Sequence, residues 1–137
     1  MTTDVMIENK ARILVVQDDP VLLGLVTGSL RPDGHDIIEA SSPLEALSIS
    51  ALEFERIDLI VTAVNSRPIT GIELAKRLTR KGVEVPMLFM ARSRPLAGVI
   101  AGSLGQTAVI EEPFTGSELR ASVQKCLAGH PRKQGGE

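Results

Sequence analysis

The sequence predicts an α/β fold, a five-stranded doubly wound parallel sheet with helices on both faces. Three observations predict it. Strand-like and helix-like stretches alternate five times along the 137 residues. Most of the strand-like stretches are continuous apolar runs, which marks burial on both faces and hence parallel pairing between helical layers. The helix-like stretches open on strong start signals, several with a Ser or Thr three residues before a Glu.

The elements follow in order. Ile13–Val16 is a short apolar run and the first strand. Asp19-Pro20 is a cap followed by proline at the first helical position. Leu22, Leu25, Val26 and Leu30 then recur at helical spacing and predict an inward stripe. Asp36–Ala40 is apolar only at its centre, which suits an edge strand. His35 precedes it in a turn, where solvation is expected. Ser42-Pro43-Leu44-Glu45 reads as a capping box for the second helix. Ile57–Val64 is the third and longest apolar run, followed by a capping box at Thr70-Gly71-Ile72-Glu73. Met87–Met90 is the fourth strand. Ser93-Arg94-Pro95 opens a fourth helix, Ala108–Ile110 is the last strand, and Thr115-Gly116-Ser117-Glu118 caps a final helix. Leu119, Val123 and Leu127 form its inward stripe, with Cys126 expected beside them as a buried small hydrophobe. The expected architecture is flavodoxin-like, (βα)5, with strand order 2-1-3-4-5. The domain is expected over 11–128, with an extension at 1–10 and a flexible, Gly-rich tail at 129–137.

Composition limits the function. With 43% hydrophobic and 23% charged residues, the chain reads as an ordinary globular protein. No run approaches the roughly 18–20 apolar residues of a membrane span. The first residues lack the basic start and apolar block of a secretion signal, so the cytoplasm is the expected compartment. A net charge of −2 with mixed signs and only three aromatic residues gives no basis for nucleic-acid binding. Cys126 is the only cysteine, so it offers neither an internal disulfide nor a thiolate cluster.

In open α/β sheets, ligands bind beyond the carboxyl ends of the strands where strand order reverses. Here those ends carry Gln17-Asp18-Asp19, Ala63, Ala91-Arg92 and Glu111-Glu112-Pro113. At these residues the chain resembles a known family, the receiver domains of two-component response regulators. Ile-Leu-Val-Val-Gln-Asp-Asp-Pro at 13–20 is similar to the family's opening strand and loop. Pro43–Leu47 resembles its second helix, and Asp58–Ala63 followed by Gly71-Ile72-Glu73-Leu74 resembles its third strand and helix. Gly105 and Glu112-Pro113-Phe114 resemble its last strand and loop. The resemblance spans roughly 11–128.

The resemblance implies a phosphoryl-accepting aspartate ending the third strand. It also implies two acids after the first strand holding magnesium, a hydroxyl ending the fourth strand, and a lysine before the last proline. An acceptor must be a nucleophilic carboxylate, magnesium wants hard oxygen ligands, and lysine offsets the charge in transfer. This chain departs at nearly every such position. The acceptor position, eight residues before Gly71, is Ala63, and neither Thr62 nor Val64 beside it is an acid. The first metal position is Gln17, leaving Asp18 as the residual acid, while Asp19 caps the helix. The hydroxyl position is Ala91, the lysine position Glu112, and the family's switch aromatic is Val109. Pro68 stands one residue later than the family's proline, with Arg67 in its place. Glu112-Pro113 is implied to be a cis peptide.

The expected function is therefore a degenerate receiver, a phosphorelay module acting by phosphorylation-independent protein contact rather than as an enzyme. No cofactor is expected, because Asp18 and Glu112 without a third ligand make a poor magnesium site. Expected partners are a histidine kinase, an output protein or a second copy. Pro95–Leu104 carries no charge, and Leu96, Val99, Ile100 and Leu104 are a candidate interaction face. The resemblance implies that a homodimer would use the face made by the fourth helix, fifth strand and fifth helix. Two alternatives stand beside this: a small-molecule-binding module or enzyme on the same fold, and a receiver phosphorylated elsewhere. Ser66, a hydroxyl in the loop after the third strand, is a candidate for phosphorylation by a kinase. Arg67 and Arg92 flank the site as candidate partners of Asp18 or Glu112.

Overall fold

A computed structural model describes residues 10–53, 56–92 and 108–129. The strands are β1 (Arg12–Val16), β2 (Asp36–Ala40), β3 (Leu59–Ala63), β4 (Met87–Ala91) and β5 (Ala108–Glu111). The helices are α1 (Pro20–Leu30), α2 (Pro43–Glu53), α3 (Gly71–Arg80) and α4 (Gly116–Ala128). The helix expected over 95–104, with its face of Leu96, Val99, Ile100 and Leu104, lies outside the described residues.

All five strands pair in parallel in the order β2-β1-β3-β4-β5. Strand alternation divides the core. Ile13, Val15, Leu59, Val61, Leu88 and Met90 pack with Val26 and Leu30 of α1 and Leu119, Val123 and Leu127 of α4. Leu14, Val16 and Ile60 face the other way, onto Ala46 of α2 and Leu74 and Leu78 of α3. A smaller cluster on that second side joins Val64, Ala75, Phe89 and Ala91, with Val109 half-buried against it. Each central strand thus buries both its odd and its even positions, the reason its sequence shows no alternation.

Local chemistry sets the helix starts, with three differences from the sequence reading. Asp19 caps α1 by accepting the Val21 and Leu22 N–H groups, with Pro20 at the first turn. Thr115 and Glu118 form a complete capping box on α4. At α2, Ser42 caps Glu45, but the Glu45 carboxylate accepts from the Ser41 N–H and hydroxyl, one residue further back than a box requires. At α3, Thr70 caps the Glu73 N–H while the Glu73 carboxylate turns forward to Arg77 at 3.1 Å. That hydrogen bond holds the Glu73 carboxyl below its usual range. The third correction lies on α1. Val26 and Leu30 are buried, but Leu25 is 62% exposed. The run Pro20–Leu30 contains no charged residue, so the helix carries no polar marker of its outer side.

His35 is buried rather than solvated. Its Nδ1 accepts the Ala11 N–H at 3.1 Å and so ties the start of β1 to the start of β2. The third strand is shorter than its apolar run because Asp58 ends the ladder. Asp58 Oδ2 accepts the Arg12 N–H and the Asp58 N–H donates to the Arg12 carbonyl, both at 2.8 Å. Cys126 is half-buried at the edge of the first core cluster, and burial pushes its thiol pKa up.

Candidate functional site

The carboxyl ends of β1, β3, β4 and β5 converge on one edge of the sheet. Period-2 alternation decides what faces there. Gln17 continues the face of Ile13 and Val15, Arg92 that of Met90, and Glu112 that of Ile110, while Ala63 packs in the same layer as Leu59 and Val61. These four side chains therefore project on the side covered by α1 and α4. Together with Leu22, Asn65 and Met90 they line a depression of about 10 Å³. That is the lower limit for one water molecule.

The sequence assigned five residues to this site, and the structure brings three of them to the depression: Gln17, Ala63 and Glu112. Asp18 is exposed and does not line it. Ala91 is fully buried and belongs to the opposite layer with Val64, Ala75 and Phe89. Arg92, expected at the flank of the site, lines the depression, as does Asn65, which no motif singled out.

Each backbone position is well anchored. The Gln17 N–H donates to the Ala40 carbonyl, the Val64 N–H to Met90, and the Glu112 N–H to Ala91 at 2.7 Å. The Ala63 carbonyl accepts from two hydroxyls, Thr62 at 3.1 Å and Ser66 at 3.2 Å. Ser66 is thus buried and hydrogen-bonded, not presented to a kinase as the loop position suggested. The Arg67–Pro68 and Glu112–Pro113 peptides are both cis. Arg67 and Arg92 are exposed, and neither pairs with Asp18 or Glu112.

The donor set does not fit magnesium. Ala63 presents a methyl group. Gln17 Oε1 is engaged, accepting the Asp19 N–H at 3.1 Å. Asp18 and Glu112 do not share the depression. Among the described residues no three His, Cys, Asp or Glu side chains converge.

Beside the depression a larger cleft of about 600 Å³ opens between α1 and the β5–α4 loop. Its walls include Leu22, Leu25 and Val26 on one side and Met90 and Phe114 on the other. No helix among the described residues is long and apolar enough to cross a membrane.

Residues 13–124 match the family model described as the response regulator receiver domain. The chain belongs to that family, and its setting is two-component signalling. It is similar to PhoP, the alkaline phosphatase synthesis transcriptional regulatory protein of Bacillus subtilis, at 33% identity over 117 residues, covering 85% of this chain and 48% of PhoP. YrkP, an uncharacterized transcriptional regulatory protein of the same organism, is 34% identical over 116 residues, covering 82% of this chain and 47% of YrkP. Among solved structures, the chemotaxis response regulator CheY4 of Vibrio cholerae superposes with a TM-score of 0.78 at 25% identity, covering 86% of this chain and 99% of CheY4. The chain spans about half the length of the curated relatives it matches.

Proposed function

We propose that this chain is a degenerate receiver, a signalling module that works by protein contact without aspartyl phosphate. One observation carries the reading. The residue that ends β3 on the site's face is Ala63, 6% exposed, with a methyl side chain. A methyl group has no lone pair with which to attack phosphorus. The surrounding groups agree. The lysine position by resemblance holds Glu112, whose charge would repel a phosphoryl group, and the first metal position holds the neutral Gln17. On this reading the chain is not an enzyme and needs no magnesium. It acts in the cytoplasm on a histidine kinase, an output protein or a second copy. The uncharged stretch with Leu96, Val99, Ile100 and Leu104 is the proposed contact face.

The test is incubation with a small phosphodonor and magnesium followed by intact mass. The expected result is an unchanged mass. A stoichiometric gain of one phosphoryl group, removed by hydroxylamine, would overturn the reading. A second reading, a small-molecule-binding module on this fold, is favoured by the cleft between α1 and the β5–α4 loop.

A further inference from the structure

We infer that this cleft is a binding site for a small apolar zwitterion, an α-amino acid or dipeptide with aliphatic or aromatic side chains. The inference rests on the second reading above, a small-molecule-binding module, and names the class of ligand it would take. Three features of the cleft select this chemistry.

The first is a side-chain donor that faces the cleft and has no protein partner among the described residues. Gln17 is 5% exposed and lines the cleft. Its Oε1 accepts the Asp19 N–H, which fixes the amide plane and leaves Nε2 as a donor. Among the described residues Nε2 has no hydrogen-bond partner, and it is not sealed from the cleft. Open to the cleft, Nε2 is available to donate to an acceptor on a bound ligand.

The second is a pair of opposite charges that do not meet each other. Arg92 and Glu112 follow neighbouring positions of the β4–β5 register, where Ala91 pairs with Glu111. Both line the cleft, yet neither forms an ion pair with a described residue. A single anion would meet Glu112 and a single cation would meet Arg92. A head group carrying both signs satisfies the two together: its carboxylate faces Arg92 and Gln17 Nε2, and its ammonium faces Glu112.

The third is the apolar remainder. Leu22, Leu25 and Val26 oppose Met90 and Phe114 across the opening. The volume of about 600 Å³ lies within the roughly 300–1,000 Å³ of small-molecule sites. Leu25, exposed on an uncharged helix, gains a partner if an aliphatic or aromatic group lies across it.

The experiment is a titration of the full chain, without phosphodonor, with L-phenylalanine and leucyl-leucine, followed by amide NMR and calorimetry. Saturable shifts at α1 and the β5–α4 loop are expected. N-acetylation or carboxyl amidation of the probe should each weaken binding about tenfold, the worth of one charge-assisted hydrogen bond. Arg92→Ala, at an exposed position, should weaken binding by a similar factor, and Leu25→Glu should abolish it. Absence of saturable binding to the folded protein would overturn the inference, as would equal affinity for free and blocked probes. The mass experiment tests residue 63 and the titration tests the cleft, so either can fail alone.

Discussion

The α-carbon of Gly71 lies against the carbonyl of Ala63, so closely that a Cβ at residue 71 would fall inside van der Waals contact with the Ala63 oxygen and 3.2 Å from its carbonyl carbon. The Gly71 N–H donates to the Val64 carbonyl at 3.0 Å, and the Ala63 oxygen already accepts two hydroxyls. The requirement for glycine here is space, not a left-handed backbone. It locks the start of α3 onto the end of β3, the strand end that lines the site.

Gly71→Ala is therefore expected to destabilise the fold by about 1–3 kcal/mol, the usual cost of forcing an extra carbon into a packed site. Gly24→Ala is the control. A Cβ at Gly24 meets nothing within 4 Å, and alanine there should stabilise α1 by about 0.5–1 kcal/mol. Urea unfolding of both variants checks the pair. A stable Gly71→Ala variant would mean that the β3–α3 junction is not as tight as the geometry requires.

Two buried polar side chains predict opposite outcomes. The Ser50 hydroxyl is fully buried and has no hydrogen-bond partner among the described residues. Ser50→Ala removes an unpaired group and should stabilise by about 1 kcal/mol. His35 Nδ1 accepts the N–H of buried Ala11. His35→Ala strands that N–H and should cost about 1–3 kcal/mol. Chemical denaturation midpoints, compared at one pH, separate the two signs.

Cys126 predicts a pH profile. Burial raises its thiol pKa against a smaller opposing effect of Lys125. The reactive form is the thiolate, so a raised pKa means less of it at a given pH. Alkylation by iodoacetamide should be slower than for an unstructured thiol near pH 8. Its rate should keep climbing at pH values where the unstructured thiol has already levelled off. A profile superimposable on that of the unfolded protein would contradict the half-buried placement.

The strands were legible because burial on both faces leaves an unmistakable record. Leu14, Val15 and Val16 are all apolar since each faces helices, whichever way it points. The caps at Asp19 and Thr115 were legible because they are local, made within three residues. The Glu45 and Glu73 carboxylates were misread for the same reason inverted. Each has two partners within reach, and the choice depends on side-chain geometry that spacing does not encode. His35 was misread because its partner, Ala11, lies 24 residues away across the sheet edge.

The residue types at the sheet's edge, a methyl at 63, an amide at 17 and a carboxylate at 112, follow from identity alone. Residue types are one-dimensional facts and need no coordinates to be noticed. The cleft beside these residues is a matter of assembly. The cleft exists because α1 and the β5–α4 loop, separated by more than eighty residues of chain, stand apart above β1 and β4. Gln17, Arg92, Glu112 and the outward Leu25 come together only where the fold sets them around one volume. Long-range packing fixes such neighbours, and no local pattern records it.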